Sequence, residues 1–264
     1  MGIIITDRVI SLLPENNKFE RIWLLAKNDF KKRYYGTSLG VVWALINPLF
    51  QLLIYYFVFT RFFKTEIEHF PLYIFLGLIL WMLFSDATKK GLFMIHNNRH
   101  LLENMRINKF DTYSSGLLSS LLGFIFNLSI FFIAALVLGI RFNLNVLYFP
   151  IILINLGILI YGLNLILSIV FVYLRDFNHF WDIFIIAAFW VNPIVYSPNV
   201  LYENDFVLHL NPIAGMIINA QNSLLYGSAV DLSLLVYDMA YSIIVLMIGL
   251  VVYKLFSKKI VEVL

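Results

Sequence analysis

Five histidines, His69, His96, His100, His179 and His209, and the acidic residues nearest the apolar runs, Asp86 and Asp182, are the raw material for a metal site, a proton relay or a hydrolytic centre. Their spacing builds none of these. A zinc hydrolase carries two histidines one helical turn apart around a glutamate, and H-E-x-x-H is absent. A phosphate cradle needs G-x-x-x-x-G-K-[ST], whose backbone N–H groups wrap the nucleotide, and this too is missing. With no cysteine, the chain has no disulfides, thiol nucleophiles or thiolate metal sites. A proton relay needs carboxylates inside the membrane, and Asp86 and Asp182 are expected only near its inner edge. The Asn-Leu-Ser sequon at Asn127 lies inside an apolar run, where it has no meaning as a glycan acceptor.

Apolar length is what the chain has instead. Residues 142–174, thirty-three in a row, contain no Asp, Glu, Lys or Arg. A bilayer core is about 30 Å thick and a helix rises about 1.5 Å per residue, so one crossing takes roughly 20 apolar residues. Composition agrees: 61% hydrophobic and 13% charged, where soluble domains carry about 25% charged residues. Windows with little or no charge place six spans at about 37–60, 71–88, 113–140, 146–173, 181–197 and 236–256. The expected fold is an all-α integral membrane protein, one membrane domain over 1–264. Residues 1–10 hold a four-residue apolar run before Asp7 and Arg8, too short for a signal-peptide core. An uncleaved, cytoplasmic N-terminus is expected.

The window 202–231 lacks the apolar purity of a span. It holds His209, Asn211-Pro212, Gly215, Asn219, Gln221, Asn222 and Gly227, and non-helical backbone at membrane depth needs cover from protein or a wet cavity. Charge arbitrates. If this window dips in from outside, the inner side holds 16 Lys/Arg and the outer side 3; if it crosses, the split falls to 13 against 6. The positive-inside rule therefore favours six spans with both termini cytoplasmic, and an outer re-entrant segment over 202–231. Trp43 and Trp181 fall near inner boundaries, as interfacial anchors do.

Residues 18–33 place Phe19, Ile22, Trp23, Ala26 and Phe30 on one apolar helical face, with Arg21, Lys27, Lys31 and Lys32 on the polar side. This is an amphipathic helix for the membrane interface. The loop 89–111 mixes basic residues with Leu92, Phe93, Ile95, Leu101, Leu102 and Met105, a pattern that suits docking on a partner or packing under the bundle. Span three opens with Ser115, Ser119 and Gly123 four apart, a small-residue face for close helix packing. Span one carries Tyr55, Tyr56, Phe57 and Phe59, and span five Phe184, Phe189 and Trp190, with Tyr196 beyond. Such rings suit sugar faces and lipid tails alike.

The stretch Lys27 to Phe59, with Arg33-Tyr34-x-Gly36-x-Ser38-x-Gly40, Trp43 and Asn47-Pro48, resembles the opening of permease subunits of polysaccharide-exporting ABC transporters. Leu174-Arg175-Asp176-Phe177, Asn192-Pro193-Ile194-Val195-Tyr196 and Asn211-Pro212 follow in the family's order. The loop after span two departs from it: Leu101-Leu102-Glu103-Asn104 and Lys109-Phe110-Asp111 replace a Leu-Ile-Lys-Lys-like stretch before Phe-Pro.

The resemblance implies a homodimer of six-helix subunits paired with two separately encoded ATP-binding-cassette subunits. Those subunits would carry ATP and Mg, so this chain needs no cofactor and is no enzyme. It implies coupling to them through Phe19 and Trp23 and through Arg99, Leu101, Leu102 and Arg106 of the loop. The substrate path would be lined by Tyr55, Tyr56, Phe59, Phe189, Trp190 and Tyr196. Lys31, Lys32 and Arg33 would attract a diphosphate headgroup, and Arg175 would pair locally with Asp176. The implied substrate is a lipid-linked polysaccharide of O-antigen, capsule or teichoic-acid type, moved across the bacterial inner membrane among membrane lipids, with no nucleic acid involved. A small-molecule or drug exporter of the same fold, a membrane glycan-processing enzyme and a transport-inactive scaffold are the alternatives.

Overall fold

A chain this apolar can satisfy its backbone away from water by closing i to i−4 bonds within each segment. The computed structural model describes residues 17–34, 38–98, 109–202 and 205–263, and among them every regular element is helical. In chain order these are α1 (Lys18–Tyr34), a 3₁₀ turn (Gly40–Val42), α2 (Trp43–Arg61), α3 (Phe70–Leu92), α4 (Met94–Asn97), α5 (Lys109–Val137) and a second 3₁₀ turn (Leu144–Tyr148). There follow α6 (Phe149–Tyr173), α7 (Phe177–Val191), α8 (Asn199–Tyr202), α9 (Asp205–Leu210), α10 (Pro212–Gln221), a π-helical turn (Asn222–Tyr226) and α11 (Leu232–Val263).

Five of these, α2, α3, α5, α6 and α11, are long and apolar enough to cross a bilayer. The protein is a multi-pass membrane protein. The segment read as the fifth span, 181–197, behaves differently: its helix begins earlier, at Phe177, and stops at Val191 after 15 residues. Asn192 is already extended because it precedes Pro193. The described residues of the 202–231 window form short helices and a π turn, none long enough to cross.

The apolar α3 is the central post, buried along most of its length among α2, α5, α6, α7 and α10. Its partner α6 makes the most extensive helix pair with α11. These two approach closely because Gly162 and Gly249 face each other: a Cβ on Gly162 would lie 2.7 Å from the backbone nitrogen and Cα of Leu246. By contrast α2 exposes Phe50, Leu53, Ile54 and Phe57, and α7 exposes Phe180, Ile183, Ile186 and Trp190. These faces are ready for lipid or another subunit.

Side chains repair the breaks in the helices. Pro48 inside α2 has no N–H for the carbonyl of Ala44, and Asn127 Nδ2 donates to that carbonyl at 3.2 Å. The carbonyl of Pro193 accepts from Tyr73 Oη at 2.9 Å and from Gln221 Nε2 at 3.3 Å. Asn211 Nδ2 donates to Asn192 Oδ1 at 3.1 Å. Asn219 accepts from the backbone N–H of Asp231 and donates to its carbonyl. Gly227 closes the π turn at φ +60°, a conformation glycine adopts without a Cβ penalty, and its carbonyl accepts from Asn145 Nδ2 at 2.9 Å.

Trp181, expected as an interfacial anchor, is instead buried and donates through Nε1 to Thr88 Oγ1 at 3.4 Å. Asn127 is buried too, so its sequon is closed to any glycan.

Two predictions arise from this packing. Gly162→Leu overpacks the α6–α11 seam and should lower stability by about 1–3 kcal/mol, read as an earlier thermal transition of the purified protein. Asp231 caps α11, its carboxylate accepting from the N–H of Ser233 and Leu234 and from Ser233 Oγ, and these bonds, led by the hydroxyl, hold its pKa below the ordinary carboxylate value. A depressed folded pKa contributes stability that is present above the unfolded value, about 3.9, and is lost as pH falls through the folded one. Asp231→Ala should therefore cost about 1 kcal/mol at pH 7, and its deficit against the unaltered protein should fade in strong acid.

Candidate functional site

Charges gather at the end of the bundle that carries α1. Arg21, Leu25, Asp29 and Arg33 recur every four residues along α1 and turn one stripe toward the bundle. Arg21 donates through Nε, at 3.0 Å, and through Nη2 to Oδ2 of the fully buried Asp111 in the first turn of α5. Lys18 stands 3.9 Å from the other oxygen. Arg33 Nη2 lies 2.5 Å from Asp86 Oδ2 on α3. Burial raises the pKa of Asp29 against the opposing pull of Lys32 and Lys90. Lys90 itself donates to Ser119 Oγ and Ser120 Oγ at 3.2 and 3.1 Å, and Lys89 Nζ pairs with Asp182 Oδ1 on α7 at 2.7 Å. The helices α1, α3, α5 and α7 are thus tied at one end by charge.

Alongside the ionic stripe, only part of the predicted apolar face, Ile22, Ala26 and Phe30, turns toward the bundle. Leu25 and Ala26 are buried with Ile22 and Asp29 partly so, and Phe30 stacks on Phe126 of α5 with ring centroids 6.0 Å apart. Phe19 and Trp23 project outward, 85% and 46% exposed. The small-residue face of α5 is borne out: Ser115 and Ser119 are buried, and Gly123 meets the Phe30 ring. Arg175 and Asp176 are both exposed in the turn before α7 and form no ion pair with each other. Adjacent residues there do not face one another.

Two larger cavities lie along α2 and α7. One, about 340 Å³, is lined by Gln51, Tyr55, Trp81, Asp86, Phe189 and Trp190, with Tyr55 stacked on Phe189 at 5.3 Å. A small neighbour of about 60 Å³ touches Arg33, Asn47, Asp86 and Asn127, so the Arg33–Asp86 pair stands between the two. The other large cavity, about 660 Å³, opens at the far end among Phe59, Tyr196, Tyr202, Tyr226, Glu66 and Glu68.

The residues expected to line one path therefore divide. Tyr55, Phe189 and Trp190 meet at the first cavity, while Phe59 and Tyr196 line the far one. Tyr56 lines neither and packs 6.3 Å from Phe70. Lys31 and Lys32 are exposed, and Arg33 is engaged by Asp86. Arg99, Leu101, Leu102 and Arg106, with His100, lie outside the described residues. His69 sits 3.5 Å from Glu68, while His96 and His209 pack edge-on against Phe171 and Tyr237.

Two acidic residues carry more than their sequence positions suggest. Asp111 closes the 89–111 loop in the sequence, yet it is the buried anchor of Arg21. Asp238, at the head of the last apolar run, is buried on α11 with its carboxylate against Gly215 of α10. Its position inside the 236–256 window was the signal available.

The chain matches the family model described as "ABC-2 type transporter" over residues 20–225. Two relatives from Klebsiella pneumoniae, each named O-antigen export system permease protein RfbA, are 26% and 24% identical over 79% and 80% of this chain and 82% of their own length. A protein of the same name from Myxococcus xanthus is 26% identical over 75% of this chain and 77% of its own.

The buried Arg21–Asp111 pair yields a direct prediction. Asp111→Ala should destabilise the purified protein by about 3–5 kcal/mol, because it strands a largely buried guanidinium. Arg21→Met on top of it should recover part of that loss, and a double-mutant cycle on thermal unfolding measures the coupling.

Proposed function

Since this chain belongs to the ABC-2 type transporter family, we propose that it is the membrane-channel permease of an ATP-driven exporter that moves a lipid-linked polysaccharide from the cytoplasmic side across the bacterial inner membrane. The observation that carries this reading is the aromatic wall along α2 and α7, where Tyr55, Phe189 and Trp190 at one cavity and Phe59 and Tyr196 at the next run from the charged end toward the far end. Rings in series suit a chain of sugar faces. The relatives named as O-antigen export permeases point to the same substrate class.

In this reading the α1 end is cytoplasmic, together with both termini, in accord with the excess of Lys/Arg on that side. The family implies an ATP-binding partner subunit. Two such subunits, holding ATP and Mg, would dock on a homodimer of this chain through Phe19 and Trp23 and through Arg99, Leu101, Leu102 and Arg106. Their closure would push on α1, which passes the motion to α5 through Arg21–Asp111 and to α3 through Arg33–Asp86. The helix α7, helped by the extended stretch after it, serves as the fifth crossing, and α8 to α10 form the outer re-entrant cap before α11. The exposed faces of α2 and α7 from the two copies enclose the path. Lys31 and Lys32 draw in the lipid diphosphate, and Asp86 competes with it for Arg33.

Deletion of the gene in its host should strip a surface glycan and leave lipid-linked glycan accumulating in the cell. Restoring the chain should restore export; restoring it with Leu101→Glu and Leu102→Glu should return an inserted protein that neither exports nor stimulates ATP hydrolysis. Normal surface glycan in the deletion strain contradicts the function, and normal export by the double variant contradicts the docking loop.

A further inference from the structure

The far-end cavity has features that a passive channel mouth does not need. It measures about 660 Å³, within the range of roughly 300–1,000 Å³ typical of sites for small ligands. Tyr196, Tyr202 and Tyr226 give it phenol walls. Tyr196 and Tyr202 bring phenol hydroxyls, while Tyr226 spends its own hydrogen on the Glu68 carbonyl and offers its oxygen as an acceptor. Phe59, stacked on Phe63 at 4.9 Å, supplies a flat apolar wall. Asn199 and Asn222 add amides that donate and accept.

The loop after α2 brings in acidity. Lys64 at φ +49° and His69 at φ +52° are both left-handed without being glycine, a conformation that costs energy and is kept only where surroundings enforce it. Between these two bends lie Glu66 and Glu68, and both line the cavity. Tyr226 Oη donates to the backbone carbonyl of Glu68 at 3.3 Å and ties the loop to the π turn. Phe59 is bound into the same loop, its carbonyl accepting from Thr65 N–H and Oγ1 at 3.3 Å. Among the described residues no Lys or Arg lines the cavity; Arg61 and Lys64 lie beside the same loop but outside the lining. The loop thus places Glu66 and Glu68, and not its Lys or Arg, along the cavity.

Aromatic walls, phenol donors and carboxylate acceptors together are the chemistry of saccharide recognition, because a sugar ring offers C–H faces to stack and hydroxyls to bridge. The two carboxylates add a sign. We propose that the far-end cavity is a charge-selective saccharide site that accepts neutral or amino-bearing glycan segments and rejects polyanionic ones. This rests on the export reading above and narrows its substrate class to polymers without dense uronate or phosphate.

The test uses the intact permease–ATPase complex in nanodiscs and three tetrasaccharide probes of different charge: chitotetraose, neutral; chitosan tetramer, cationic; and tetragalacturonate, anionic. Saturation-transfer NMR should rank them cationic, then neutral, then anionic. The span should be tenfold or more at low salt, and roughly tenfold of it should vanish with Glu66→Gln plus Glu68→Gln. High salt should compress the ranking as well. Both glutamates are exposed, so their replacement leaves the fold intact, and Tyr196→Ala should weaken all three probes alike.

Equal binding of the three probes, an unchanged ranking in the glutamate variant, or no binding of any probe overturns the proposal. If that happens while the deletion strain still loses its glycan, the site assignment fails and the export reading stands. Charge-ranked binding by a protein whose deletion leaves every surface glycan intact keeps the saccharide site and overturns the export reading.

Discussion

A hydrocarbon solvent offers no hydrogen bonds, so each N–H and C=O that a helix break releases must find a partner within the protein, at a cost of several kcal/mol if it does not. That rule governs where this bundle is irregular. Its breaks at Pro48, Asn192-Pro193 and Asn211-Pro212 each lie beside a buried polar side chain. Asn127 takes the carbonyl of Ala44, Tyr73 and Gln221 take the carbonyl of Pro193, and the side chains of Asn211 and Asn192 bond each other. Two of the polar residues that made 202–231 look unlike a span, Asn219 and Gln221, satisfy backbone carbonyls of neighbouring segments. They are tolerated because α10 is buried along its whole length between α3, α6 and α11.

Charge follows the same rule at the two ends. At the α1 end, basic and acidic residues neutralise one another across helices: Arg21 with Asp111, Arg33 with Asp86, Lys89 with Asp182. Lys31 and Lys32 stand exposed beside Arg33. At the far end the cavity is lined by Glu66 and Glu68, with no basic residue among those described. The two ends of the bundle therefore differ in sign, with exposed lysines at one and glutamates at the other.

The long helices were legible because thirty-three charge-free residues admit one explanation in 264. So was the small-residue face of α5, where Ser115, Ser119 and Gly123 stand four apart and are covered by α3 and α1. The outward turn of Phe19 and Trp23 was not, since their apolar periodicity outweighed an equally regular series, Arg21, Leu25, Asp29, Arg33, whose meaning depends on Asp111 and Asp86 far away in sequence. Asp238 escaped notice for a related reason: one carboxyl hardly alters the hydropathy of a 21-residue run, and its neighbour Gly215 lies on another element. The early end of α7 was announced by Asn192-Pro193. The cavities could not be read, because they arise where α2, α7 and the loop 62–69 converge.

A channel driven by an engine on another chain should not purify alone. Tagged protein drawn from its native host in mild detergent should bring down an ATPase bearing the G-x-x-x-x-G-K-[ST] motif in equal amount, and the complex should hydrolyse ATP. A chain that emerges alone from several detergents, without ATP hydrolysis, contradicts the account.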